Sequence, residues 1–234
     1  MGIARNIAAV RERIVAAARR AHRRPEEIAL MAVSKTFPPQ AIREAYNAGQ
    51  RLFGENRVQE FAGKAAALAD LAGAEWHLIG HLQSNKAAKA AELFAAVESV
   101  DSLRVAEKLS AAAEKIGKRL PVLIEINIGA ETAKSGATPD SPQLEQLLAA
   151  ISRLDALELY GLMTIPPFTD DPQQARPYFR RLRELRDQIA ARRLPGVNLE
   201  VLSMGMSHDF EVAIEEGSTC IRVGTAIFGE RPKA

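Results

Sequence analysis

Short apolar runs alternate along this chain with longer stretches in which apolar residues return every three or four positions. The runs cover residues 29–35, 51–56, 76–80, 96–100, 121–128, 157–164, 199–204 and 220–224. The first lies between Glu26-Glu27 and Pro38-Pro39, and a continuous apolar run of that length suits a parallel strand buried on both faces. The stretches between the runs carry the helical period. They predict helices over 39–48, 58–70, 87–94, 102–116, 142–154 and 172–192, with another starting near His208. Pro38-Pro39 open the first of these and Gly49 is placed to end it as a C-cap. Ahead of the first strand, residues 2–22 hold Ile3, Ile7, Val10, Ile14, Val15 and Ala18 at three- and four-residue spacing, which predicts an amphipathic helix covering one side of the fold.

Strands separated by helices imply right-handed crossovers and a parallel sheet, and eight of them in one chain favour closure over an open sheet. No Ser/Gly linker or break in composition divides the chain. The expected fold class is therefore α/β: residues 1–234 form one domain, a single (β/α)8 TIM-type barrel with an extra N-terminal helix. The length of 234 residues is close to the ~250 typical of that fold.

Charge and cysteine content narrow the partners. Lys and Arg total 31 against 29 for Asp and Glu, so the net charge of +2 provides no general attraction for nucleic acid or membrane. No segment reaches the ~18 apolar residues of a membrane span. The single cysteine, Cys220, lies in an apolar run and has no internal partner, which fits a reducing, cytoplasmic setting. His77 and His81 lack a third ligand at a metal spacing, so no metal site is expected.

In barrels of this kind the working residues sit at the C-terminal ends of the strands. The first strand ends on Lys35. A lysine there either snorkels or pairs as an ordinary cation, or has a lowered pKa suited to Schiff-base chemistry. The last two strands end in Ser203-Met204-Gly205-Met206-Ser207 and Arg222-Val223-Gly224-Thr225. Glycine turns, helix-start N–H groups and Ser or Thr hydroxyls bind phosphate oxygens without formal charge, although the same pattern also makes ordinary capped turns. Closure makes strand 8 the neighbour of strand 1, so lysine and cradle share one mouth, an arrangement that suits pyridoxal 5'-phosphate. Arg222 is then placed to face the pyridine nitrogen and keep it unprotonated.

The runs 32–36, 53–60, 76–86, 134–136, 161–165 and 202–207, with 222–229, closely resemble the pyridoxal phosphate homeostasis protein family, in order and over nearly the whole chain. The resemblance implies a fold-type III barrel similar to the alanine racemase N-terminal domain. It also implies a protein that holds or delivers pyridoxal 5'-phosphate, keeping cofactor and amino-acid pools in balance without efficient catalysis of its own. By matching motif, Lys35 is the Schiff-base lysine and Asn56 a polar neighbour of the cofactor. Ser203, Gly224 and Thr225 are phosphate contacts, Ser207 a helper, and Arg222 the ring-nitrogen partner. PLP-dependent apoenzymes are the implied recipients. One departure stands out: the family follows Met206-Ser207 with two acidic residues, and here His208 replaces the first, ahead of Asp209.

Two other functions use the same barrel. A racemase or decarboxylase needs a second base; in racemases a tyrosine from a further domain supplies it. That domain is not expected in a chain ending at Ala234, and Tyr46, Tyr160 and Tyr178 fall in helices or mid-strand. A phosphosugar enzyme would use Lys35 as a general base. Glu125 and Glu158 are expected at sheet edges or paired, His81 lines the pocket or caps the next helix, and Lys134-Ser135-Gly136 reads as a loop over the barrel mouth or a second amine site. A lone barrel without an apolar appendage is expected to be a monomer.

Overall fold

The structure, a computed structural model, describes residues 2–131 and 134–230. Helix α1 (Ile3–Arg20) comes first. Then β1 (Ala29–Val33), α2 (Pro39–Asn47), β2 (Leu52–Glu55), α3 (Val58–Ala65), β3 (Glu75–Leu78), α4 (Ala87–Leu93), β4 (Ala96–Val100) and α5 (Leu103–Lys115) form the first half of the barrel. The second half is β5 (Leu120–Glu125), α6 (Pro142–Ile151), β6 (Leu157–Met163), α7 (Arg176–Ala191), β7 (Val197–Met206), α8 (Phe210–Glu215), β8 (Cys220–Val223) and α9 (Thr225–Phe228). The strands close into one barrel in sequence order, all parallel, with β8 pairing back onto β1.

Local chemistry sets the element ends. Pro39 starts α2 with its fixed φ, and the Ser141 hydroxyl caps α6 by accepting from the Leu144 N–H. Helix α1 buries Ile7, Val10, Ile14, Ala17 and Ala18 and packs on α2, α8 and α9, covering the seam where the barrel closes.

Alternation along each strand divides the interior in two. Leu30 and Ala32 face the helices and join the main core, in which Phe53, Phe94, Phe179 and Phe210 are fully buried. Each such side chain contributes roughly 1.5–3 kcal/mol by leaving water. Met31 and Val33 face the lumen instead and pack with Ile79 and Cys220. This small apolar plug closes the barrel below its working end.

β5 and β7 depart from the sequence reading in ways that shape the site. β5 stops at Glu125 rather than 128: Ile126 makes only an isolated bridge with Ala137, and the chain turns through hydrogen bonds between residues 125–127 and Ala137. β7 extends two residues further at each end than the apolar run, and its register shifts against both neighbours. Near one shift a Cβ on Gly161 would collide with the Val201 carbonyl, so only glycine fits the bulge. Among the described residues no helix is long and apolar enough to cross a membrane.

Candidate functional site

The turn after β1 carries Lys35 and is held from below. Thr36 sits at φ 67°, a left-handed conformation that costs a β-branched residue about 1–3 kcal/mol. Its N–H donates to Glu60 Oε1 at 2.6 Å. Lys64, buried on the inward face of α3, places Nζ 2.9 Å from that oxygen, 2.9 and 3.1 Å from the two Glu55 oxygens and 3.3 Å from the Ser34 carbonyl. The Ser34 hydroxyl donates to Glu55 at 2.6 Å. Ion pairs this buried are stable when every group is hydrogen-bonded, and here they are. Glu55, at the end of β2, is fully buried as the anchor of the turn.

Above the turn lies a cavity of about 250 Å³. Six of the residues expected at the site line it: Lys35, Asn56, Ser207, Arg222, Gly224 and Thr225. Lys35 lies two residues beyond Val33, and Arg222 is paired in register with Met31, so both belong to the lumen face of neighbouring strands. On the far wall the N–H groups of Gly224 and Ala226 converge on Ser207 Oγ at 3.3 and 3.4 Å. The turn presenting Ser207 is pinned by Asp209, whose Oδ1 accepts the Met206 N–H at 2.6 Å. Burial pushes the Asp209 carboxyl above its ordinary value, against the pull of that hydrogen bond and of Arg222. Gly205 permits the turn, with φ 93° and no room for a Cβ beside Ala213. His208 Nε2 lies 3.1 Å from the Asp170 carbonyl, and its ring packs against Phe168 at the mouth.

Ser203 lies elsewhere. It is fully buried beneath the cavity and is not part of its lining, so it stands too deep for the direct anion contact expected from sequence. Its hydroxyl accepts from Arg222 Nη1 at 2.7 Å and donates to Glu98 Oε2 at 2.5 Å. Glu98 Oε1 meets His77 Nδ1 at 2.8 Å, and Arg222 Nη2 donates to the Thr164 carbonyl at 2.7 Å. Burial alone would raise the Glu98 carboxyl, but His77, Arg222 and Ser203 together hold it below the usual carboxylate range. A polar spine thus crosses the lumen and fixes Arg222 with two of its five donors engaged.

Lys35, Asn56, Ile79 and Ile165 also line a second cavity, of about 300 Å³, on the other side of the lysine. His81, Glu125, Asn127, Lys134 and Ser135 complete its walls. Gly80 belongs here because a Cβ would strike the Asn56 carbonyl, so its bareness lets β2 and β3 bring Asn56 to the lysine. His81 pairs with Asp101 at 3.1 Å, and Lys134 binds Glu131 at 3.0 Å and the Pro166 carbonyl at 3.2 Å. Glu125 corrects the expectation of an edge or paired charge: a closed barrel has no edge, and the carboxylate faces this cavity 8% exposed.

Sequence reasoning missed Lys64, Glu60, Glu98 and Asp209. For Glu98 a signal existed, since an acid inside the apolar run 96–100 stands one strand from His77 in another apolar run. For Lys64 none did, because a lysine on an amphipathic helix ordinarily faces water.

The sequence matches the family described as alanine racemase, N-terminal domain, over residues 6–232. A protein of Aquifex aeolicus named pyridoxal phosphate homeostasis protein is 46% identical over 231 residues, covering 99% of each chain. The Escherichia coli K12 protein of that name is 46% identical over 232 residues, covering 98% of this chain and 97% of its own. Among solved structures, PipY of Synechococcus elongatus with PLP bound superposes with a TM-score of 0.84 at 39% identity, covering 97% of this chain and all of that one. The match along nearly the full length of both named relatives places the chain in the pyridoxal phosphate homeostasis protein family, on the barrel of the alanine racemase N-terminal domain.

Proposed function

We propose that this chain binds pyridoxal 5'-phosphate through Lys35 and holds or delivers it, with no efficient catalysis of its own. The observation that carries the reading is the joint lining of one cavity by Lys35 and by the turn whose Gly224 and Ala226 N–H groups converge on Ser207. The donor set fits the group. A primary amine meets an aldehyde, convergent N–H groups and the Ser207 and Thr225 hydroxyls meet a dianion, and a guanidinium meets a ring nitrogen. When bound, the cofactor supplies an electrophilic aldehyde carbon and a conjugated ring.

The chain's own residues set what that ring does. Arg222 is always charged, and Ser203 with Glu98 fixes its position. Facing the ring nitrogen it acts only as a donor, which leaves that nitrogen unprotonated and the ring a weak electron sink. Asn56, held over the lysine by the close approach of Gly80, orients the same edge. Ser203 acts through Arg222 and not on the phosphate.

No tyrosine lines either cavity among the described residues, which supports a carrier over a two-base racemase. Among the described residues the exposed large apolar side chains, Leu103, Ile116, Ile165 and Phe168, divide between the ends of α5 and the cavity mouth, which supports a monomer. A buried, unpaired Cys220 fits a cytoplasmic setting. PLP-dependent apoenzymes are the recipients in this reading. Loaded protein mixed with an apoenzyme should restore that enzyme's activity, while incubation with single amino acids should change neither chirality nor carbon dioxide. Turnover at rates ordinary for enzymes, or no reactivation, contradicts it.

A further inference from the structure

A further cavity lies at the opposite end of the barrel from Lys35, where helix α1 passes the starts of β1 and β2. It holds about 620 Å³, more than either cavity beside the lysine, and falls within the ~300–1,000 Å³ usual for small-molecule sites. Its floor is built by a buried side chain. β1 pairs with β8 from Ala29 onward, but with β2 only from Ala32 and Phe53. In the gap Gln50, 2% exposed, donates from Nε2 to the Leu30 carbonyl at 2.6 Å and to the Leu52 carbonyl at 2.7 Å. The amide satisfies two strand carbonyls and holds the strand starts apart where direct pairing would have closed the space.

The walls say what ligand. Arg11 Nη2 donates to the Gly49 carbonyl at 3.4 Å, and Arg51 Nη1 donates to the Tyr46 and Gln50 carbonyls at 2.8 and 2.9 Å with its guanidinium 3.9 Å over the Tyr46 ring. Two guanidinium groups therefore flank one short turn, residues 49–51. Each spends one nitrogen on these carbonyls, and a guanidinium carries five N–H donors, so both keep donors for a ligand. A Cβ on Gly49 would meet nothing, so the turn leaves open space beside them. The rest of the lining is mostly apolar: Val15, one helical turn beyond Arg11, with Pro25, Ile28 and Leu30. Glu26, the one acid on the walls, follows Pro25, so two arginines less one glutamate leave the groove with a charge of +1. A cationic pair beside an apolar groove complements a single negative charge on an apolar body.

We infer that this cavity binds a small amphipathic carboxylate, an aliphatic or aromatic acid, with its carboxylate on Arg11 and Arg51 and its apolar body along Val15, Ile28 and Leu30. Guanidinium and carboxylate form paired, charge-assisted hydrogen bonds. Arg51 is already oriented by the Tyr46 ring and two carbonyls, so it loses little freedom on binding. The apolar body leaves water against Val15, Pro25 and Leu30, which the fold itself leaves only half-buried. The plug of Met31, Val33, Ile79 and Cys220 lies between this cavity and the lysine, so the site stands on its own residues and does not depend on the cofactor reading.

Calorimetric titration of the whole chain with decanoate, decanol and decyltrimethylammonium, each below the concentration at which it self-associates, tests the inference. Decanoate should bind as a single molecule per chain, decanol more weakly, and the ammonium not at all. Arg11→Gln alters an exposed side chain and should weaken decanoate about tenfold while leaving decanol unchanged. Val15→Trp fills the groove and should abolish binding of both. Melting curves check that the variants are folded. Absence of saturable decanoate binding to the parent, several molecules per chain, equal binding of the ammonium, or unchanged decanoate affinity in either folded variant overturns the inference. So does displacement of decanoate by pyridoxal phosphate or its loss in Phe168→Ala, either of which would put the binding at the cavity mouth. A chain that binds decanoate in this way but takes up no pyridoxal phosphate keeps this site and loses the carrier reading.

Discussion

Lys64 reaches Glu55 at 2.9 Å beneath the turn that carries Lys35, and the pair is closed off from water by α3 and β2. The same ammonium holds Glu60, which in turn holds the left-handed Thr36. One cation therefore fixes both ends of a strained turn.

Removing that cation should be expensive. Lys64→Met leaves Glu55 and part of Glu60 as uncompensated buried carboxylates, a loss of about 3–5 kcal/mol by analogy with other broken buried pairs. Thermal or urea unfolding measures it. Where the variant still folds, its rate of reaction at Lys35 with an aldehyde should fall more than that of a surface substitution of equal stability. A loss below about 1 kcal/mol would mean the network does not anchor the turn.

The turn after β7 depends on a different device. Gly205 has φ 93°, and an added Cβ would lie 2.5 Å from the Ala213 Cβ and 3.0 Å from the Phe210 Cα. Gly205→Ala combines left-handed strain with a clash against a helix that is part of the core, so a loss of several kcal/mol is expected, on the order of 1–3 from each source. Differential scanning calorimetry reads it directly. An unchanged melting temperature would show that α8 yields freely.

Glu125 gives the protein a pH dependence of known sign. Its ordinary value is 4.5 and its folded value about 7, so the folded state keeps a proton that the unfolded chain releases. Its contribution is fully present below 4.5 and is lost as the pH rises through 7, by up to about 3 kcal/mol from the 1.36 kcal/mol of each unit. Glu125→Gln should melt close to the parent near about pH 4.5 and above it at about pH 8. A gap that is constant with pH would place the carboxyl at its ordinary value.

The barrel was legible because its signals are local and repeated. Apolar runs and helical stretches alternate at barrel spacing, and closure alone brings Lys35 beside Arg222. The residues of the turn proposed to hold the phosphate were also legible as small and polar at strand ends. Depth was not. Ser203 and Ser207 look alike in sequence, yet strand alternation and the register shift near the end of β7 bury the first beneath the cavity and leave the second on its wall. Nor was long-range pairing: the partners of Ser203 lie 105 residues away at Glu98 and 19 away at Arg222, which no spacing rule connects.

The covalent role proposed for Lys35 is open to direct measurement. The purified chain, mixed with pyridoxal phosphate, should develop a band at about 420 nm, lose it on borohydride treatment, and yield on digestion one modified peptide, the one containing Lys35. Lys35→Ala should show neither band nor modified peptide. A label on Lys134 or spread over surface lysines, or a band that survives in Lys35→Ala, would contradict the account.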